Sequence, residues 1–300
     1  MAAPASVPAP KRQNPGSRLV GDLLTLAVIF GLLGALYLLP ADTSLSQIRE
    51  SGRLTVCLPP HYPLLVTGDP ERPGFDVELM QEIAARLEVR MVVSTHSAIG
   101  RDFNPRNWRV TRAQCQILAG GVVLSQGVRS FLDTVPTPLS TGWAIVAPQI
   151  PDSLAGSEIG IHAGLTGLDR IGLSRFLRQA GTQARIINSS DALERSLASG
   201  ELDAGISEAL TASRIASGND WQVLWMPEPI ERYQLGLGLW RGDLTLLQAV
   251  ERIMDDIRRE GVMDELVARY EIFPIVVTFG ERRIAPDRPA EGGQPSRRMQ

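Results

Sequence analysis

A chain of 300 residues with 44% apolar residues is long enough to bury a large core divided over two compact parts. This composition excludes disorder for most of the chain. The net charge of -3, with acidic and basic residues interspersed, provides no basic stripe and argues against nucleic-acid binding.

The first clear signal along the chain is an apolar run over residues 23–39, preceded by basic residues and followed by a polar stretch. Its length is at the lower end for a membrane-spanning helix and above that of the apolar part of a cleaved signal peptide. The charge pattern predicts a cytoplasmic N-terminus and export of everything beyond Asp42. We therefore expect a membrane anchor over residues 19–40, with cleavage after Ala41 as the alternative.

Residues 1–18 and 277–300 are rich in Pro, Ala, Gly and Arg, and we expect both to be disordered tails. Between them, short β-rich runs alternate with amphipathic helical runs, which is typical of parallel sheets covered by helices. The predicted elements include strands over residues 54–58, 143–148 and 233–240 and helices over residues 76–87 and 245–259.

The order of these elements predicts two lobes. A new series of strands and helices begins near Gly142, and the last helices follow a late strand that leads the chain back. Two crossovers of this kind imply a hinge. We assign residues 43–141 and 240–276 to lobe 1 and residues 142–239 to lobe 2.

The sequence contains two cysteines, Cys57 and Cys115, and neither lies in a CxxC or Cys/His array. A zinc site is therefore not predicted, and no motif indicates a cofactor. In an oxidising compartment two cysteines favour a disulfide, and a pair of buried thiols is the alternative.

Five motifs occur along the chain: IRESGRLTV (48–56), GFDVELMQEIA (74–84), GIHAGLTG (160–167), GELDAGISE (200–208) and YQLGLGL (233–239). Their order is typical of the family 3 extracellular solute-binding proteins, the polar amino-acid receptors of ABC transporters. The chain resembles this family over residues 43–273. The resemblance implies a type II periplasmic-binding-protein fold, with two α/β lobes that close on a ligand. It implies a small solute and a membrane permease as partners, and no catalysis.

A zwitterionic ligand needs donors for its carboxylate, an anion for its ammonium group and enclosure from water. The turn from Gly164 to Thr166 is predicted to open a helix, whose free N–H groups can hold an anion; a plain capped turn is the alternative. By resemblance, Glu208 pairs with the ammonium group and Tyr62 packs on the ligand. Their alternatives are a solvated carboxylate at a helix start and ordinary loop packing.

One departure from the family concerns the ligand carboxylate. The family has a Thr at the end of the third strand and, three residues later, an Arg that clamps this carboxylate. Here Ser125 takes the Thr position, Val128 takes the Arg position, and Arg129 follows one residue later. A shift of one residue turns a helical side chain by about 100°. Two interpretations stay open, namely a ligand that lacks an α-carboxylate and a degenerate site.

The cysteines carry a second resemblance, to a subgroup associated with periplasmic quinoprotein alcohol dehydrogenases, whose members show V-C-x-x-P and C-D-V-x. This resemblance implies a disulfide between Cys57 and Cys115. It also implies an alternative function, that of an accessory protein docked on a periplasmic enzyme. A third hypothesis is a cleft enzyme of the dehydratase or lyase type, with Glu208 as general acid or base.

Overall fold

The computed structural model describes residues 23–31, 42–165, 167–272 and 275–280. The chain divides into two units, Met1–Asp42 and Thr43–Gln300. In the first unit, residues 23–31 form helix α1, and its large apolar side chains are exposed. No helix within the described ranges has the length and apolar character needed to cross a membrane. The rest of the predicted anchor, and the tail over residues 1–18, lie outside these ranges.

The second unit alternates helices and strands. Its helices are α2 (Ser44–Ser51), α3 (Phe75–Arg86), α4 (Gln126–Phe131), α5 (Arg170–Gln179), α6 (Ser190–Ala198), α7 (Ala209–Asn219), α8 (Leu244–Arg259) and α9 (Val262–Arg269), with a 3₁₀ helix at Pro105–Trp108. Its strands are β1 (Arg53–Leu58), β2 (Arg90–Thr95), β3 (Ile117–Val123), β4 (Leu132–Ala147), β5 (Glu158–His162), β6 (Gln183–Ile186), β7 (Ala204–Glu208), β8 (Gln222–Trp225) and β9 (Arg232–Trp240).

The strands are joined in the order β2-β1-β3-β9-β4-β7-β5-β6, and β8 pairs with β4. Strand β4 links two sections of this arrangement. Its first part pairs with β9 in the first section, which contains β2, β1 and β3, and its second part pairs with β7 and β8 in the second section, which also contains β5 and β6. The two sections therefore share β4 at the point where the chain passes between them.

Side-chain periodicity explains the helices that cover the sheet. In α8 the buried residues recur three or four positions apart and form one apolar face, as predicted for residues 245–259. The predicted helix over residues 76–87 is likewise confirmed as α3. The buried residues of α8 are Leu246, Ala249, Val250, Ile253, Met254 and Ile257.

The strand predicted from Trp143 begins earlier than expected, at Leu132. The sequence misses its first part because Pro136 and Pro138 lack the N–H group that a strand donates. The pairing of β4 with β9 shifts register between Pro136 and Ser140, so the prolines lie where the ladder is irregular.

The chain makes one further connection to the second section. After α9, the backbone N–H of Trp225 in β8 donates to Val277 O at 2.9 Å, and the N–H of Phe279 donates to Trp225 O at 2.8 Å. Thr278 thus lies beside β8 in a parallel bridge. The sequence predicts a tail from residue 277, whereas residues 277–280 instead lie along the second section. Residues 281–300 lie outside the described ranges.

Candidate functional site

A bulge in β3 shapes the first side of the site. Gly120 and Gly121 adopt φ values of 81° and 93°, which residues with a side chain rarely adopt. Their N–H groups both donate to Oδ2 of Asp76, at 2.6 and 3.2 Å. Burial raises the pKa of Asp76 to about 6, against the effect of these two hydrogen bonds. Asp76, in the first turn of α3, therefore holds the bulge of β3 in place.

Tyr62 fills a slot between this bulge and the loop after β2, and only 1% of its surface is exposed. A Cβ atom on Gly121 would lie 2.4 Å from Tyr62 Cε2, and one on Gly100 would lie 2.8 Å from Cδ2. Both glycines are therefore needed for the ring to fit. The Tyr62 backbone is fixed as well, because it exchanges hydrogen bonds with Val66 at 2.8 and 2.9 Å.

Glu208 is the last residue of β7 and the N-cap of α7, and it is 2% exposed. Its Oε1 accepts from Thr141 Oγ1 at 2.7 Å, from Leu210 N at 3.0 Å and from the Tyr62 hydroxyl at 3.3 Å. Its Oε2 accepts from Thr211 N at 2.9 Å and from Thr211 Oγ1 at 3.2 Å. Five donors within the chain thus surround the carboxylate.

The structure brings the predicted residues Tyr62 and Glu208 into direct contact. The carboxylate starts a helix, as one of the two interpretations held, but it is buried rather than solvated. Burial raises the pKa of Glu208, and its hydrogen bonds oppose that shift. Burial and the nearby Glu208 charge raise the pKa of Tyr62 well above its usual value, so its hydroxyl stays a donor. Ligand contact by either residue stays a prediction.

The turn at Gly164 lines a cavity of about 810 Å³ in the second section. The expectation that this turn opens a helix is wrong, because α5 begins at Arg170, with Asp169 as its N-cap. The Asp169 carboxylate accepts from Gly172 N at 2.8 Å, which satisfies one of the free N–H groups of the helix start. Thr166 lies outside the described residues.

Ser125 and Arg129 lie on the short helix α4. Ser125 is its N-cap and accepts a hydrogen bond from Val128 N at 3.2 Å. Val128 is fully buried, whereas Arg129 is exposed and its carbonyl oxygen accepts from the guanidinium group of Arg241. The helix therefore directs the two neighbouring side chains differently, as the sequence shift predicts. Contact of Ser125 or Arg129 with a ligand stays a prediction.

The predicted disulfide between Cys57 and Cys115 is present, with an S–S distance of 2.09 Å and a Cα–Cα distance of 5.6 Å. Cys57 lies in β1 and Cys115 lies just before β3, the parallel neighbour of β1. Both cysteines are buried in an apolar cluster that includes Val128 and Trp108. The disulfide thus supports the start of β3, ahead of the glycine bulge.

The sequence is similar to those of known binding proteins. No family model matches the chain. The chain is 23% identical over 242 residues to the L-cystine-binding protein TcyJ of Escherichia coli K12, which covers 75% of this chain and 85% of that protein. It is 24% identical over 218 residues to the lysine/arginine/ornithine-binding periplasmic protein of the same organism, covering 67% and 80%.

Solved structures decide the fold. An ancestral cationic amino-acid solute-binding protein matches with a TM-score of 0.61 at 18% identity, covering 76% of this chain and 99% of that one. The second substrate-binding domain of a putative amino-acid ABC transporter from Streptococcus pneumoniae matches with a TM-score of 0.56 at 14% identity, covering 72% and 99%. The chain has a solute-binding-protein fold.

Within this solute-binding fold, sequence reasoning missed several residues of the site. Thr141 donates to Glu208 from the middle of β4, and Asp76 fixes the bulge beside Tyr62. Trp143, whose position beside the first crossover indicated that it could line the cleft, pairs with Glu208 across β4 and β7 and lines the 810 Å³ cavity. The sequence does contain a signal for Asp76, because a carboxylate at the buried start of a helix needs hydrogen-bond donors nearby. Thr141 has none, because its role depends on a contact between distant strands.

Proposed function

We propose that this protein is an extracytoplasmic solute-binding protein, which captures a small polar solute between its lobes for an ABC-type transporter. The observation that carries the proposal is the contact of Tyr62 with Glu208, which joins the two sections beside a cavity of about 810 Å³. Residues of lobe 2 form most of the cavity lining and Arg101 of lobe 1 completes it, so a hinge movement can bring lobe 1 over a ligand. The names of the curated relatives, which describe binding proteins for cystine and for basic amino acids, support this function.

The lobes of this proposal are residues 43–141 with 240–276, and residues 142–239. Strand β4 supports the first boundary, because its pairing changes from β9 to β7 between Gly142 and Trp143. The ligand-binding set is the one predicted from sequence, with Tyr62, Ser125 and Arg129 from lobe 1 and Gly164, Thr166 and Glu208 from lobe 2. For Glu208 to accept from a ligand, the hydroxyl groups of Tyr62 or Thr141 must leave its carboxylate.

Periplasmic location at the bacterial inner membrane is part of the same proposal. Helix α1 exposes large apolar side chains, among them Leu24 at 66% and Phe30 at 68%, which is the surface that an anchor presents to lipid. We expect the full chain to stay in the membrane fraction after alkaline carbonate washing, and a chain lacking residues 1–42 to become soluble. Release of the full chain by the wash would contradict the anchor.

Ligand-dependent stabilisation tests the binding function. A ligand that binds the native state alone raises the melting temperature, and at 100 times its Kd it contributes about 2.7 kcal/mol. We expect at least one solute from a panel of amino acids, amines and organic acids to raise the melting temperature of the purified full chain by several degrees. No shift with any member of the panel would contradict solute binding.

The disulfide gives some support to a second function, that of an accessory protein on a periplasmic enzyme, because the same cysteine pair carries that resemblance. The exposure of Arg129 also agrees with a cleft that no longer binds the ligand class of the family. Affinity purification of the full chain from solubilised membranes separates the two functions. Recovery of transporter subunits alone would contradict the accessory role, and recovery of a dehydrogenase without a permease would contradict transport.

A further inference from the structure

The cavity at Gly164 continues as an open groove between helix α5 and strand β6. Strand β6 lies at the end of the strand order and pairs with β5. Leu173 and Leu177 of α5 form one wall, and Ile186 of β6 forms part of the other. Ile186 is 70% exposed, so α5 does not cover it. An apolar surface inside a concave site is the usual feature of a pocket that binds the body of a small molecule.

The charged side chains that line this groove have one sign. Arg101 from lobe 1 and Arg170 and Arg178 from α5 line it, together with His162. None of the sixteen described residues that line the cavity is an Asp or Glu. A guanidinium group carries five donors in a rigid fork and binds carboxylate or phosphate through paired hydrogen bonds. The lining therefore favours an anion and disfavours a cation.

Two of the arginines are held at the groove by contacts within the chain. The guanidinium group of Arg170 donates to the carbonyl oxygens of Ala163 and Leu165, at 3.1 and 3.0 Å. Arg178 donates to Ser174 Oγ at 2.7 Å. A side chain that is already oriented loses less freedom when it binds a ligand. The positive charge is thus placed before any solute arrives.

From this geometry we infer that the solute is an amphiphilic anion, with an apolar body in the groove and a carboxylate or phosphate held by the arginines of the cavity. The inference rests on the proposed function, because the groove includes Gly164 of the same cleft. An anionic solute also agrees with the surroundings of Glu208, whose two carboxylate oxygens already accept from five donors at 2.7–3.3 Å. A ligand without an ammonium group requires no change there.

Matched ligands test the charge preference on the purified full chain. The pair 4-phenylbutanoate and 4-phenylbutanamide differ in charge and share an apolar body, and phenyl phosphate supplies the other head group. We expect calorimetry to show binding of at least one anion, and binding of the amide to be at least about tenfold weaker. The affinity ratio of the two anions then identifies the head group. Equal affinity for the acid and the amide would overturn the inference.

Variants locate the binding site. We expect Arg178→Gln and Arg101→Gln each to weaken binding of the anion by about tenfold or more. Arg175→Gln is the matched control, because Arg175 is exposed on the same helix and does not line the cavity. If Arg175→Gln weakened binding as much as Arg178→Gln, general surface charge would explain the effect and the inference would fail.

Including L-arginine, L-lysine and L-cystine in the same measurement separates this inference from the proposed function. Binding of any of these amino acids without binding of the anions would overturn the anionic preference and leave solute binding intact. No binding by any compound in the set or in the wider solute panel would overturn both. Binding of the anions alone supports both.

Discussion

The hydroxyl group of Tyr62 lies 3.3 Å from Oε1 of Glu208 and donates a hydrogen bond to it. Tyr62 follows β1 in the first sheet section, and Glu208 ends β7 in the second. Thr141, in the strand shared by the two sections, donates to the same oxygen at 2.7 Å. These three side chains form a buried polar contact at the junction, where a low dielectric strengthens each hydrogen bond.

Replacing Tyr62 with Phe removes this hydroxyl and keeps the ring in its slot. Hydrogen bonds to charged groups contribute about 1.5–3 kcal/mol, so we expect the free energy of unfolding to fall by about that amount in urea titrations at pH 7.5. Tyr233→Phe is the control, because its hydroxyl bonds to Glu231 at an exposed position and should contribute less than about 1 kcal/mol. Equal losses of unfolding free energy in the two variants would show that the Tyr62 hydrogen bond contributes no more to stability than an exposed one.

Gly121→Ala tests the slot itself. The new Cβ atom would lie 2.4 Å from Tyr62 Cε2, at a backbone φ of 93°, so both overlap and strain oppose it. We expect the free energy of unfolding to fall by at least about 2 kcal/mol. Gly218→Ala in α7 has open space around the new Cβ and should be neutral or stabilising by up to about 1 kcal/mol. If Gly121→Ala is as well tolerated, Tyr62 is not confined as described.

Asp76 predicts a pH dependence of stability. Its pKa rises from 3.8 to about 6 because it is buried, so in the native state it holds a proton that the unfolded state has already released between those values. Stability therefore falls as pH rises from about 4 to about 6, by up to about 3 kcal/mol, and then levels off.

The variant Asp76→Asn removes the titrating group, and its side-chain oxygen can still accept from both glycines. We expect the slope of its unfolding free energy to be smaller than that of the wild type in urea titrations from pH 4 to pH 7.5, with any remainder assigned to Glu208, whose pKa is also raised by burial. Glu50→Gln, at an exposed position of α2, should keep the slope of the wild type. A slope in Asp76→Asn as steep as that of the wild type would assign the effect to another group.

The disulfide closes a loop with a sequence separation of 58 residues. The chain-entropy estimate for a loop of this length is about 4 kcal/mol of stabilisation. We expect Cys57→Ala/Cys115→Ala to lower the free energy of unfolding by about 2–5 kcal/mol, measured by chemical denaturation. A phosphine reductant should destabilise the wild type and leave the double variant unchanged. A wild type insensitive to complete reduction would show that the disulfide adds no stability.

The sequence alone determined the features that depend on local pattern. Apolar residues three or four positions apart specify the core face of α8, because a helix repeats every 3.6 residues. The order of motifs predicted the solute-binding fold. The resemblance carried by the two cysteine segments implied a disulfide between Cys57 and Cys115, and this disulfide is present. Comparison with the family's motif indicated that Arg129 is shifted by one residue, which turns a helical side chain by about 100°.

Only the tertiary structure decided what depends on contacts between distant segments. Tyr62 and Glu208 are 146 residues apart in sequence, so no local rule could show that they share a hydrogen bond. The same holds for Asp76, which binds the backbone of a bulge in β3, and for the groove where Arg101 meets the arginines of α5. The sequence specifies the charge of a side chain. The packing of the whole chain sets its burial and its partners, and these determine whether that charge is available to a ligand.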